Sequence, residues 1–559
     1  MSDTKKPPLK WKKPVNGIFS GGSEQEKLVT ALLELKITIA TNRRRVNCPR
    51  RSGTDRGKGI PMTDQIQRYH RQTMYDPLKM GGHALDWSNQ PGVYKNYSEI
   101  SRVNLPEIVE LSDKSFAEML KPQHAAPAAG GVSLQDLSRI LFLGYGITAR
   151  RQSAGDDFYY RSVPSAGALY PCELYLATQS VSGLEDGLYH HAIHRRDLGR
   201  LRTGVYTLAP AEGEPREAFS SSVTFYITAI FYRSIWKYRD RAYRYHLLDT
   251  GHLVESLALA IRALDLPCQV TYDFDDSAVN TILGVDGGRE ACLAVIRISN
   301  GIVAPDGRRD SPVQGLSHAA ASRVSPREEI PAAVQHIHEA TSRVVGVKDR
   351  RCDVLRECGV QPQYWQPIHL EDFFPEEMNF SQAVMARRSR RNFVSRPLGR
   401  QKFQALMRTI WMPDDGQFQP FQFIAAGFIA SACEGIDPGE YWINPHAHAI
   451  AQVQPIAYSA EMARIALNQQ WMESACLQFF FVAPLSVIET LWGPRAYRYA
   501  MISAGRLAHR IYLGATALGL GCCGIGAFYD RDASALLGLN QLSALLYMVA
   551  AGPIKHQPE

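Results

Sequence analysis

Apolar residues at positions 253, 254, 257, 261 and 264 follow three- and four-residue spacing and predict a helix over about 247–265 with one buried stripe. A second helix is predicted over about 501–519, where the same segment recurs. Ser133-Leu-Gln-Asp136 has capping-box spacing and predicts a helix running to about Phe142. Runs rich in β-branched and aromatic residues predict strands at 172–178, 223–231 and 292–299, and again at 421–429, 477–482 and 545–551. Strands and helices do not alternate as regular βαβ units, and there is no GxGxxG. The pattern predicts α+β layers.

The recurrence is a long one. Residues 241–286 and 495–540 align without a gap at an offset of 254, with 16 identities in 46 positions. A period of that length is a duplicated domain and not a solenoid unit. One chain can then build the interface that two chains build in a homodimer. The expected organisation is a basic, partly disordered segment at 1–60 with a helix near 24–39, an N-terminal extension at 61–104, a first domain at 105–301, a connector at 302–365 with an amphipathic stretch near 326–344, and a second domain at 366–559.

Composition changes this picture little. Hydrophobic residues make up 45% and charged residues 21% of the 559, ordinary globular usage. The formal charge of +7 is concentrated at one end: residues 1–60 hold 14 Lys/Arg against 5 Asp/Glu, so the rest of the chain is near −2. A basic terminal segment of this kind is a solvated tail or a dock for an acidic partner, not a nucleic-acid-binding face. No run is long and apolar enough for a membrane span, and no signal peptide is evident. The ten cysteines form no CxxC pair and no Cys/His cluster, so no metal site is expected. They read as reduced thiols of a cytoplasmic protein.

Four motifs carry candidate chemistry. Met385-Ala-Arg-Arg-Ser-Arg-Arg-Asn-Phe393 places guanidinium forks and a hydroxyl near a helix end, which suits a phosphate dianion; alone, it also fits an exposed basic turn. Pro164-Ser-Ala-Gly-Ala-Leu-Tyr-Pro171 is a small-residue loop whose backbone N–H groups can approach a flat ligand, or a tight turn before a strand. Gly521-Cys-Cys-Gly-Ile-Gly-Ala-Phe528 can lay backbone against a ring, or merely link a helix to a strand. Lys237-Tyr238 puts two titratable groups among aromatics, where either serves as a general base once its environment shifts its pKa; a surface-exposed start of a helix is the alternative.

Together PSAGALYP, RAYRY with its downstream helix, the LG(V/L)(D/N) ending and RRSRRNF resemble the flavin-dependent nitroreductase fold. More narrowly they resemble the SagB-type azoline dehydrogenases of peptide natural-product biosynthesis, as do YHRQT and HALDWSNQP near the N-terminus. The resemblance covers about 68–300 and 375–552. It implies two tandem nitroreductase-like domains, each a mixed or antiparallel sheet wrapped by helices, forming an intrachain pseudo-dimer. It also implies bound FMN and oxidation of thiazolines and oxazolines to thiazoles and oxazoles.

In such dimers FMN lies at the interface, and the halves of this chain have kept complementary parts. The C-terminal half has Arg387, Ser389 and Arg391 for the phosphate, and Gly524, Gly526 and Ala527 to lie against the flavin. The N-terminal half has Pro164, Ser165, Ala166 and Gly167, and the Lys237-Tyr238 pair that the resemblance implicates in proton removal. The mates of these parts are degenerate: Ser115 to His124 replaces Arg-x-Ser, Cys268 to Phe274 lacks glycine, Asp414 stands for the loop serine, and Thr490 to Arg495 lacks Lys-Tyr. The expectation is one FMN per chain, in one interdomain site. Dioxygen is the expected electron acceptor. The substrate is an azoline-containing peptide, a carrier-bound intermediate or a small molecule. Partners are expected within a biosynthetic complex, with no nucleic acid and no membrane, the chain being a monomeric pseudo-dimer or a higher homo-oligomer. Two further readings stand beside it: a stand-alone NAD(P)H-dependent nitro or quinone reductase, and a non-catalytic scaffold of a peptide-modifying complex.

Overall fold

Two seven-stranded sheets, built in the same order, organise the chain. In the N-terminal half the strands are β1 (Arg102–Asn104), β2 (Ile147–Arg151), β3 (Phe158–Arg161), β4 (Cys172–Thr178), β5 (Gly187–Ala192), β6 (Asp197–Thr203), β7 (Ser221–Ile230), β8 (Cys268–Thr271) and β9 (Glu290–Ser299). The C-terminal half adds β10 (Gln366–Pro367), β11 (Ala425–Ala430), β12 (Gly439–Asn444), β13 (Ala449–Gln454), β14 (Leu477–Ala483), β15 (Gly521–Ile525) and β16 (Ala544–Gly552). The first sheet runs β1-β6-β5-β4-β7-β9-β8 and the second β10-β13-β12-β11-β14-β16-β15, the same topology position for position; β2 and β3 form a separate hairpin. Within the sheets every ladder is antiparallel. This computed structural model describes residues 64–80, 84–108, 110–122, 131–152, 157–206, 221–299, 319–344, 350–370, 374–413 and 419–555. The basic segment at 1–60, its helix near 24–39, and Asp414 lie outside the described residues.

The helices that position the site are α1 (Gln65–Gln72), α2 (Phe231–Tyr238), α3 (Ala242–Arg262), α4 (Asp276–Leu283), α5 (Ala332–Thr341), α6 (Phe380–Ala386), α7 (Ala496–Ala517) and α8 (Asp530–Leu536). The repeated helices are α3 and α7, and they cross at equivalent glycines. A Cβ placed on Gly251 would strike the Ile502 carbonyl oxygen and lie 2.8 Å from Gly505 Cα, while one on Gly505 would strike the Leu248 carbonyl oxygen. The two backbones therefore touch, and no larger side chain fits at the crossing.

The single apolar stripe read from the sequence understates these helices. All of α7 and all of α3 but Ala258 are buried, arginines included. Their charges are paired across the two halves. Arg241 and Arg244 each reach Asp530 of α8 at 2.7 Å. Arg495 and Arg498 reach Asp276 of α4 at 2.8 and 2.6 Å, the same arrangement turned about the crossing. Thr73, just after α1, accepts from Arg244, and Thr341 at the end of α5 accepts from Arg498, so extension and connector play matching parts. The helix α3 begins five residues before the predicted 247, at Ala242, and takes in most of RAYRY.

Other departures from the pattern are local. Pro420 opens a 3₁₀ turn at Pro420–Gln422, so the strand predicted from 421 starts at Ala425. The hairpins β5–β6 and β12–β13 were not legible, since buried runs such as Gly187–Ala192 show no alternation. The first five residues of the glycine cluster are not a connection but the edge strand β15, paired to β16. Among the described residues no helix is long and apolar enough to cross a membrane.

Burial alone would raise the Asp530 and Asp276 carboxyls, and the two guanidinium partners of each overcome it and hold them below the usual range. A lowered carboxyl pKa makes this stabilisation complete above the unfolded value near pH ~4, and it is lost as pH falls through the folded one. Asp530→Ala leaves Arg241 and Arg244 buried without their carboxylate, and Asp276→Ala does so to Arg498 while Arg495 keeps Asp273 at 3.5 Å; each change is expected to cost about 3–5 kcal/mol. Urea unfolding at pH 7 measures this, and losses below about 1 kcal/mol for both variants would show that the triads do not hold the halves together.

Candidate functional site

One cleft opens where the two halves meet beside the helix crossing. Its cavity volume is about 160 Å³. From the N-terminal half come Pro164, Ser165, Ala166 and Gly167, then Tyr238, Tyr245, Asp249 and His252. From the C-terminal half come Ser389, Arg391, Tyr512, Cys523, Gly524, Gly526, Ala527 and Tyr547.

Local chemistry explains each wall. The loop after Val163 turns through a 3₁₀ segment at Ala166–Ala168, with Gly167 at φ +64°, a left-handed conformation that glycine adopts without strain. A Cβ at 167 would sit 2.7 Å from the Tyr238 hydroxyl and 3.2 Å from Lys237 Nζ. Those two residues end α2, so the loop and the pair form one surface. The segment after α6 runs beside β15: Arg390 N donates to the Cys522 carbonyl, and Ser389 bridges to Cys522. Ser389 and Arg391 are thereby carried to the cleft beside Gly524. The Tyr512 hydroxyl lies 3.0 Å from Ser389 Oγ and accepts from Gly524 N at 2.6 Å. The Gly526 carbonyl accepts from Arg241 and from the Tyr245 hydroxyl, so RAYRY of one half fixes the glycine turn of the other.

Two candidates stand off the lining. Arg387 is buried behind the wall, where Nε donates to the Ser162 carbonyl at 2.6 Å and Nη2 to the Arg161 carbonyl at 2.9 Å. Lys237 lies beside the cleft, its ammonium 5.5 Å from the Tyr238 ring centroid. Partial burial, then the Arg391 charge, lowers the Lys237 pKa. Burial first, then Asp249, raises that of Tyr238. No carboxylate pairs with Lys237, Arg387 or Arg391 among the described residues.

Sequence reasoning missed Asp249, His252, Tyr512 and Tyr547. Asp249 accepts from Ser165 Oγ at 2.6 Å and from Ala166 N at 3.2 Å. His252 Nε2 lies 3.2 Å from the Tyr547 hydroxyl, and its Nδ1 is buried without a hydrogen-bond partner. A signal was present: Asp249 and His252 align with Ser503 and Arg506, differences that flank the shared Gly251 and Gly505.

Among the described residues, the helix positions that mate with those of the cleft are engaged in ion pairs and hydrogen bonds. Arg506, in place of His252, reaches Glu255 at 2.7 Å and the Tyr272 hydroxyl at 3.0 Å, and Arg510 reaches Glu255 at 2.6 Å. Tyr499, in place of Tyr245, donates to Asp273. In the counterpart of Arg-x-Ser, Ser115 only caps the short helix Phe116–Met119.

Comparisons with known proteins bear on the fold of both halves. The family model described as the nitroreductase family matches residues 128–299 and 384–553, once in each half. The chain is 28% identical over 186 residues to the protein MJ1384 of Methanocaldococcus jannaschii, named as a nitroreductase, covering 33% of this chain and 89% of that one. It is 27% identical over 233 residues to the trifolitoxin-processing protein TfxB of Rhizobium leguminosarum bv. trifolii, covering 39% of this chain and 62% of TfxB. The microcin B17-processing protein McbC of Escherichia coli is 27% identical over 143 residues, 24% of this chain and 52% of McbC. The crystal structure of a nitroreductase-type protein from Anabaena variabilis superposes with a TM-score of 0.70 and 25% identity, over 88% of this chain and 99% of that one. With two such domains in tandem, the chain belongs to the nitroreductase family.

Proposed function

We propose that this chain is an FMN-dependent dehydrogenase that oxidises thiazoline or oxazoline rings to thiazoles or oxazoles in peptide natural-product biosynthesis, with one active site between its halves. The observation that carries the reading is Lys237-Tyr238 seated against Gly167, on a cleft whose far wall presents Ser389, Arg391 and the glycine strand. Kinship with two proteins named for processing trifolitoxin and microcin B17 supports the substrate class. Whether the ring arrives on a ribosomal peptide, a carrier or a small molecule follows from what the partners deliver.

The residues present suit FMN. Lys237, Arg387 and Arg391 bring positive charge to one region without a carboxylate partner, as an anionic ligand requires. Ser389 and Arg391 face the cleft and would hold the phosphate, while Arg387 braces the opposing backbone from behind. Gly524, Gly526 and Ala527 offer backbone to the ring from one side, and Pro164 to Gly167 from the other. FMN, when bound, would supply the acceptor for the hydride that leaves the azoline carbon, with dioxygen as the proposed terminal acceptor.

The second hydrogen leaves as a proton, and the two candidate bases differ. The Lys237 ammonium is disfavoured by burial and by Arg391, so a neutral amine exists at lower pH than in a free lysine. Tyr238, shifted the other way, keeps its proton and orients the ring. Lys237 is therefore the base.

Lys237→Ala and Tyr238→Phe are expected to retain bound FMN, seen by its visible absorption, while losing at least about 10²-fold in turnover of an azoline peptide. Loss of the flavin spectrum in both variants would make the pair structural. Because the base must be neutral, kcat/KM is expected to rise with pH and level off below the ~10.4 of free lysine. Arg391→Gln should move that limb to higher pH; a limb unmoved by this change and by Lys237→Ala would exclude Lys237. Heat-released FMN should be one per chain, and two per chain would refute the single site.

A further inference from the structure

Asp249 is the one carboxylate on the cleft wall among the described residues, and its side chain is spent on the loop in front of it. It is 6% exposed and sits on α3 one turn before His252. The Ser165 hydroxyl has a single proton, which goes to Asp249 at 2.6 Å, while Ser165 Oγ accepts from Tyr170 N at 2.9 Å. With Asp249 ionised, Ser165 has no donor left for anything in the cleft.

The repeat sets Ser503 against Asp249, so only the half with the open cleft keeps an acid at this helix position.

We propose that Asp249 is a positioning residue whose protonation sets the donor direction of Ser165: as a carboxylate it takes the Ser165 proton, and as a carboxylic acid it donates to Ser165 Oγ and turns that hydroxyl toward the acceptor edge of the ligand in the cleft. The idea rests on FMN being that ligand. No bond to carbon changes; one proton moves from solvent to the Asp249 carboxyl, and one hydroxyl rotates.

The surroundings allow the exchange. Burial drives the Asp249 carboxyl up to about 7, against the pull of Ser165 and Ala166 N–H. The titratable groups that feel its charge are Tyr238 from α2, Cys172 from β4 and, from the other half, Tyr547. Tyr245, His252, Tyr512, Cys523 and the Arg391 cation line the same cleft. His252 is held neutral by burial, and burial raises Tyr238, Tyr245, Tyr512 and Tyr547 and the thiols of Cys172 and Cys523. Near neutral pH the proton that comes and goes here is therefore that of Asp249.

The test compares wild type with Asp249→Asn, which cannot ionise, and Asp249→Ser, the residue of the other half. FMN affinity, read by quenching of flavin fluorescence from pH 6 to 9, should weaken at least about fivefold more in wild type than in Asp249→Asn. Parallel profiles would overturn the proposal. A second reading does not need FMN. A carboxyl whose folded pKa is raised holds its proton between pH ~4 and 7, so wild type should lose stability as pH rises through that window. Between pH 5 and 8 the wild-type thermal midpoint should fall about 3 °C further than that of Asp249→Asn, and equal falls would overturn the proposal. If wild type binds no FMN at all, the functional reading fails, and the melting series still decides the protonation of Asp249.

Discussion

The contact between Gly251 and Gly505 is the constraint from which the rest of the architecture follows. Two buried helices of 21 and 22 residues lie backbone against backbone there. At ~1.5 Å per residue each is about 30 Å long, enough to cross the unit. Close approach at the middle lets the ends of each helix reach into the other half. Arg241 and Arg244 find Asp530, and Arg495 and Arg498 find Asp276. A larger residue at either glycine would lift the helices apart and strand four guanidinium groups in the interior, where a lone charge is costly.

The same scaffold leads to different outcomes on its two sides. On one, His252, Tyr245 and Asp249 leave room that Gly524 and Gly526 extend. On the other, Arg506, Arg510 and Glu255 form a buried ion triad. Both guanidinium groups of that triad share the one carboxylate, so the charges at these positions are satisfied. Duplication inside one chain is what permits this. In a homodimer any substitution appears on both sides of the axis, and a plug on one side would close the other.

The sequence carried much of this. The identities of the repeat at Arg241, Arg244 and Asp276, matched at Arg495, Arg498 and Asp530, are the residues that cross between halves, so the interface was written in what the copies share. The chemistry was written in where they differ, and there the reading went only part of the way. Ser165, Ser389 and Gly526 belong to short motifs with local signatures and were legible. Tyr512 and Tyr547 were not, because an aromatic inside an apolar helix or strand reads as core, and only tertiary packing turns its hydroxyl toward Ser389 or His252. Arg387 was legible as a cation at a helix end, but not its engagement by two carbonyls of the other half, a contact that spans 225 positions of sequence.

The cleft draws its walls from both halves, and this has a thermodynamic corollary. Whatever molecule settles there touches both sides of the seam and acts as a fastener as well as a reactant. By mass action, a ligand at a hundred times its dissociation constant adds about 2.7 kcal/mol to the seated form, comparable to one of the buried ion triads. Because the halves are tethered, that reinforcement does not depend on protein concentration, as it would for two separate subunits. The occupant of the seam and the Gly251–Gly505 crossing then share the work of keeping α3 against α7.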